Sequence, residues 1–197
     1  MVNVSDYIFS QLASLGIKHV FMLPGGGAMH LNDALKRNKS IEGVICQHEQ
    51  ACGISAEAYG RLGSEKDPKF GVCLVTSGPG STNALTPVSG AWIDSVPMLV
   101  ISGQAKTNDL NHGKLRQSGV QEVNIIEMVK SITKYCVQIK DHKSIHIELE
   151  KSIKSMLSGR KGPSWIDIPL DIQAKTINET RQISVLSETQ FDYNKIY

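Results

Sequence analysis

Six short apolar runs punctuate the chain, at His19 to Leu23, Ile41 to Cys46, Phe70 to Thr76, Met98 to Ser102, Thr133 to Ile139 and Trp165 to Ile168. Within them apolar residues follow one another instead of alternating with polar ones. That is the pattern of strands covered on both faces, as in a parallel sheet. Near the amino terminus Asn3 or Ser5 can cap a helix that places Ile8, Leu12 and Leu15 on one face and ends at Gly16. Further helices are expected from about Ala28 to Arg37, from about Gln50 to Leu62 and over Val123 to Val129. Asp141 can cap another, with Ile145, Leu149, Ile153, Met156 and Leu157 on one face and Gly159 closing it. Strands alternating with helices, joined by right-handed crossovers, predict an α/β fold. The expectation is a doubly wound, mainly parallel six-stranded sheet with helices on both faces.

In such a sheet ligands bind in the crevice at the carboxyl ends of the strands. Three segments are expected there. The first is the stretch Val44 to Arg61, VICQHEQACGISAEAYGR, read as a buried strand over Val44 to Cys46 running into an alanine-rich helix, with Glu49 at their junction. A carboxyl group at that edge faces a site and suits proton-transfer work; it would equally stabilise the first helical turn through the macrodipole. The second is Pro24-Gly25-Gly26-Gly27, a glycine-rich turn between strand and helix. Such turns often cradle phosphate, but PGGGAMH is neither GxGxxG nor a P-loop, and a plain tight turn fits as well. The third is Ser77-Gly78-Pro79-Gly80. The polar stretch AKTNDLNHGKLRQS, between Gln104 and Gly119, reads as a mobile surface loop able to fold over the site.

Composition narrows the classes. The 197 residues carry 41% hydrophobic content, ample for one large domain, and a net charge of +2. Lys and Arg are scattered, so neither nucleic acid nor a membrane surface is an expected partner. No apolar run approaches the roughly 18 residues of a membrane span, and MVNVSDYIF lacks the regions of a signal peptide. A cytoplasmic location is therefore expected. Cys46, Cys52, Cys73 and Cys136 show no metal-ligand spacing and read as reduced core residues. His142 and His146, i and i+4 on one expected helix face, can bind metal in principle, but without a carboxylate motif they read as solvated; no metal site is expected in this chain. From Lys175 the chain turns polar without a clear period, so residues 1–174 are expected to form the domain and 175–197 a linker or loosely docked tail.

FMLPGGGAMHLNDAL, VICQHEQACGISAEAYGR, GVCLVTSGPGSTNALT, DSVPMLVISGQ, GVQEVNI and GPSWIDIPLDIQ occur in that order. Together they resemble the N-terminal, pyrimidine-binding domain of thiamine-diphosphate-dependent enzymes, most closely the acetolactate synthase group, from about Ser5 to Gln173. By that resemblance, Glu49 stands where the family has the glutamate that hydrogen-bonds N1′ of the aminopyrimidine, favouring the tautomer whose 4′ nitrogen takes the C2 proton of the thiazolium ring. The cofactor then decarboxylates a 2-keto acid, pyruvate by analogy, and passes a two-carbon unit to a second carbonyl compound. Leu23, Pro24, Gly25 and Gly26 match the loop over the reactive region, with Gly26 nearest the substrate. Thr76, Pro79 and Asn83 match the segment lining the pyrimidine pocket, and Gln121 matches a glutamine facing the intermediate.

The resemblance also implies partners. In the family a central domain, which in some relatives carries FAD, and a diphosphate-binding domain follow. The latter holds Mg²⁺ through a Gly-Asp-Gly segment that this sequence lacks. The chain is therefore expected to be a domain fragment or half of a split enzyme, inactive alone. It is expected to work against the diphosphate-binding domain of a second subunit in a homodimer or homotetramer. Three departures stand out: Val120-Gln121-Glu122 replaces the usual Phe-Gln-Glu, Gly27 replaces an alanine, and Cys52 to Arg61 differs from the common AAHAADGYAR. A smaller residue at 120 is expected to give a roomier pocket, able to take an acceptor larger than pyruvate such as a keto-sugar nucleotide. Decarboxylation without ligation and a non-catalytic αβ module are the alternatives.

Overall fold

The computed structural model describes residues 1–63, 69–111, 113, 115–178 and 181–183. Its elements in chain order are β1 (Val2–Asn3), α1 (Val4–Ser14), β2 (His19–Met22), α2 (Met29–Arg37), β3 (Glu42–Ile45), α3 (Glu49–Gly60), β4 (Gly71–Val75) and α4 (Pro79–Asn83). There follow α5 (Leu85–Ile93), β5 (Met98–Gln104), α6 (Ile125–Val129), β6 (Tyr135–Gln138), α7 (Ile145–Leu157), β7 (Ser164–Pro169), α8 (Leu170–Gln173) and β8 (Thr176–Ile177). Six strands form one sheet in the order β3-β2-β4-β5-β7-β6, every pairing parallel. Helices cover both faces, as the unbroken apolar runs predict. One core cluster packs α1, α2 and α7 against the sheet, and the other packs α3, α5 and α6 against the opposite face.

Local chemistry sets the boundaries. Asn3, not Ser5, caps α1: its side-chain oxygen accepts from the Asp6 N–H at 2.7 Å, while the Ser5 hydroxyl donates to the Gln173 carbonyl at 2.9 Å. Gly16 takes a φ of +83° just past α1, and Gly159 a φ of +53° past α7. Asp141 accepts from the Lys143 N–H at 3.0 Å, but the turn it caps is a 3-10 turn, His142–Ser144, that precedes α7. His142 and His146 therefore do not share one α-helix. Among the described residues no group of three or more His, Cys, Asp and Glu is placed to hold a metal ion, and no helix is long and apolar enough to cross a membrane.

Three expectations need correction. The run at Val44 to Cys46 is not buried: β3 is an edge strand, and Ile45 is 65% exposed. Apolar content does not separate a central strand from an edge strand, because that depends on how many neighbours the topology supplies. The polar stretch after Gln104 is partly built, with a 3-10 turn at Thr107–Asp109 whose Thr107 N–H and hydroxyl donate to Asp171 at 2.9 and 2.6 Å; residues 112 and 114 lie outside the described residues. The packed unit also runs past residue 174. β8 pairs antiparallel with β1, the Tyr7 hydroxyl donates to the Arg181 carbonyl at 3.1 Å, and the Ile183 N–H donates to Gln11 Oε1 at 2.8 Å. Ile177 and Ile183 are buried in the α1 side of the core, single apolar anchors too sparse to show a period. Residues 184–197 of the expected tail lie outside the described residues.

Candidate functional site

The chain starts its sheet at β2, goes outward to β3, then returns across β2 to β4. The carboxyl ends of β2 and β4 thus flank the point where the strand order reverses, which is where an open α/β sheet leaves a crevice. The glycine turn leaves β2 there, the Thr76 to Gly80 turn leaves β4, and α3 begins beside them.

Glu49 is the first residue of α3 and only 8% exposed. The preceding residue, His48, caps the helix, its Nδ1 accepting from the Gln50 N–H at 3.1 Å. Asn83, at the end of α4, donates from Nδ2 to Glu49 Oε2 at 2.9 Å. The other oxygen, Oε1, accepts no hydrogen bond among the described residues, and a Cβ on Gly80 would lie 3.4 Å from it. One carboxyl oxygen is thereby fixed while its twin borders a glycine, an arrangement that holds the group's orientation and leaves one oxygen for an incoming partner. The macrodipole reading is compatible with this but does not account for Asn83.

Thr76 joins the two glycine turns. Its Oγ1 accepts from the Gly27 N–H at 3.0 Å, and its carbonyl accepts from the Ser81 hydroxyl at 2.7 Å. A Cβ on Gly25 would lie 2.5 Å from Thr76 Cβ and 2.7 Å from Oγ1, closer than atoms can approach, so only glycine lets the turn lie against that side chain. Gly26–Ala28 forms a 3-10 turn in place of a plain tight turn, and α2 starts at Met29. Gly26 itself is exposed, and a Cβ there would meet nothing within 4 Å. Leu23 is partly buried, its N–H donating to the Leu74 carbonyl at 3.3 Å, with Pro24 exposed after it. Pro79 occupies the first turn of α4, where its missing N–H is no loss.

Gln121 reaches this edge through its backbone. It adopts a φ of +54°, left-handed for a residue with a Cβ. It abuts Gly78, whose φ is +60° and ψ −121°. A Cβ on Gly78 would collide with the Gln121 carbonyl and lie 2.9 Å from the Gln121 Cβ. Val120, expected to shape a pocket wall, is 84% exposed in this chain.

Two features of the surroundings bear on charge. Asp167, on β7, is fully buried and accepts from Ser102 Oγ at 2.6 Å, Gln138 Nε2 at 2.9 Å and Gln104 Nε2 at 3.1 Å. Burial pushes its carboxyl up to about 6, outweighing the three donors, which pull it down. Cys52, one turn after Glu49, is buried, and its thiol is pushed up to about 12, first by that burial and then by Cys46 beside it. All four cysteines are free thiols, with Cys46 and Cys136 half-buried.

Of the residues singled out by sequence, the structure brings Glu49, Asn83, Thr76, Pro79 and the turn at Leu23 to Gly26 to one sheet edge, with Gln121 joining through Gly78. It adds residues that sequence reasoning missed. Asn32 Nδ2 donates to the Gly25 carbonyl at 3.3 Å, and Gln173 Nε2 donates to the carbonyls of Gly27 and Ile168 at 2.7 and 2.8 Å. Gln173 lies in LDIQ, just beyond a strand that ends at the same edge; that position was a usable signal. Nothing local marks Asn32.

Similarity to known proteins covers most of the chain. The family model described as the thiamine pyrophosphate enzyme, N-terminal TPP binding domain, matches residues 2–128. The mitochondrial acetolactate synthase of Schizosaccharomyces pombe is 37% identical over 163 residues, 83% of this chain and 23% of that protein. The acetolactate synthase large subunit of Buchnera aphidicola subsp. Schizaphis graminum is 37% identical over 176 residues, 89% of this chain and 29% of that protein. The acetolactate synthase isozyme 3 large subunit of Escherichia coli is 34% identical over 172 residues, 87% of this chain and 28% of that protein. This chain therefore spans less than a third of the length of these relatives.

Proposed function

Because the chain belongs to the family of thiamine pyrophosphate enzyme N-terminal TPP-binding domains, we propose that it forms the pyrimidine side of the active site of an acetolactate synthase-like carboligase. The observation that carries this reading is the Glu49 carboxyl group, with one oxygen held by Asn83 and the other left beside Gly80. The residues present fit the cofactor. A flat aminopyrimidine needs a hydrogen-bonding carboxyl group at one ring nitrogen and side-chain-free walls, and the crevice offers Glu49 Oε1 between glycine-lined turns. When bound, thiamine diphosphate supplies the carbanion-stabilising chemistry for decarboxylating a 2-keto acid and transferring the two-carbon unit.

The tasks of this chain are narrower. Glu49 holds or releases a proton at Oε1, while Asn83 keeps the group from rotating away. Thr76 fixes the two turns that enclose the ring, and Gly26 leaves open space on the side where a substrate would approach. Gln121, whose backbone is held against Gly78, is the residue assigned to face the substrate there. Mg²⁺ and the diphosphate are assigned to a separate diphosphate-binding domain of a second subunit. The names of the relatives favour acetolactate as the product, which makes pyruvate the 2-keto acid.

The test uses the full-length enzyme. Glu49→Gln keeps the shape and the Asn83 contact but removes the transferable proton, so exchange of the cofactor's C2 proton should slow by about 10²-fold or more, with cofactor still bound. Exchange at the wild-type rate would refute the role given to Glu49.

A further inference from the structure

The turn that carries Gln121 is clamped from both sides. Behind it, the Glu122 carboxylate gathers three backbone N–H groups: Oε1 accepts from Asn111 at 2.7 Å, and Oε2 accepts from Ser118 at 2.8 Å and Gly119 at 2.9 Å. Ahead of it, the Val123 carbonyl accepts from Gln104 Nε2 at 3.0 Å. That amide is itself locked, since its nitrogen also donates to buried Asp167 and its oxygen accepts from the Ala105 N–H at 2.9 Å. Between the clamps sits Gln121 in its left-handed conformation against Gly78. A glutamine does not hold that conformation by preference; it persists where the surroundings over-determine it.

We propose that Glu122 is a positioning residue for substrate binding: its carboxylate ties down the backbone that sets Gln121 at the mouth of the crevice. This rests on the reading above that Gln121 faces the bound 2-keto acid. Both oxygens of Glu122 accept from backbone N–H groups of the loop on the far side of Gln121. Charge-assisted bonds to backbone N–H groups are the stronger kind. Replacing the carboxylate by an amide leaves one oxygen acceptor for three donors.

The experiment is a double-mutant cycle in the full-length enzyme, with Glu122→Gln, Gln121→Ala and the pair, assayed with pyruvate. Glu122→Gln should raise KM by about tenfold while kcat stays within about threefold and the Kd for thiamine diphosphate is unchanged. The pair should be no worse than Gln121→Ala alone, because a residue that acts only through Gln121 has nothing left to position. Hydrogen exchange supplies a readout free of turnover: the Ser118 and Gly119 amides should exchange faster in Glu122→Gln than in wild type. Additive effects on KM, unchanged KM in Glu122→Gln beside a raised KM in Gln121→Ala, or unchanged amide protection would each overturn the inference while leaving the role of Gln121 intact. Wild-type kinetics in Gln121→Ala would overturn that role and this inference with it.

Discussion

Replacing Asp167 by asparagine should change how the stability of this polypeptide depends on pH, and the size of the change follows from the network around it. The carboxyl group is fully buried, and its pKa rises from the ordinary 3.8 to about 6 because burial disfavours the charge more than its hydrogen bonds restore it. The folded chain therefore keeps a proton between those values that the unfolded chain has lost, so this residue's contribution to stability falls as pH rises through that interval and is flat above it. Just over two pKa units at 1.36 kcal/mol each make about 3 kcal/mol. The Asp167→Asn variant, with no proton to lose there, would be free of that dependence. It would carry a separate, pH-independent cost of about 1–3 kcal/mol, since Gln138, Gln104 and Ser102 all donate to the two carboxylate oxygens and an amide offers one. Urea unfolding of both chains from about pH 4 to pH 7 separates the two effects. The stability advantage of wild type over the variant should shrink by about 2–3 kcal/mol across that range. A constant difference, or one that grows with pH, would refute the reasoning.

Two further substitutions probe packing. Gly25→Ala places a Cβ 2.5 Å from Thr76 Cβ; the turn must move, which should cost about 1–3 kcal/mol and lower the melting temperature, and an unchanged melting curve would mean the turn does not need its close approach. Ile183→Ala removes a buried anchor beyond β8 and should cost about 2 kcal/mol, measured by chemical denaturation; a loss within about 0.5 kcal/mol, as at an ordinary surface position, would show that this segment does not brace α1.

What could be read from sequence follows from what each signal depends on. Central strands were legible because β4, β5 and β7 are buried on both faces, and continuous apolar runs report that condition. The same signal misplaced β3, since Ile45 looks as apolar on an edge as at the centre. Helix ends at Gly16 and Gly159 were legible because a positive φ selects glycine, but whether Asn3 or Ser5 caps α1 depended on Gln173, far along the chain. Glu49 and the two glycine turns were found from their placement after strands. Asn83 could be assigned by resemblance alone, because its partner lies 34 positions away. Gln104 and Asp167 were unassigned for a similar reason: a buried polar network exists only once β5, β6 and β7 are side by side.

The glycines and Thr76 together explain why this edge tolerates so little change. A Cβ on Gly25 or on Gly80 would run into the same threonine, from the β2 turn and from α4 respectively. Thr76 Oγ1 meanwhile holds the Gly27 N–H, and its carbonyl holds Ser81. Each alternative at 76 loses one of these jobs. Serine keeps the acceptor but drops the methyl that fills the space between the two glycines, leaving a gap whose lining forfeits its contacts. Valine fills the space and strands the Gly27 N–H, a half-buried donor with a cost of its own. Threonine is the residue that supplies both a hydroxyl and a methyl on one Cβ. The shape of the crevice around Glu49 is therefore set less by charge than by how closely two backbones approach one side chain, and a change at Gly25, Gly80 or Thr76 would reach the Glu49 carboxyl group through that shape.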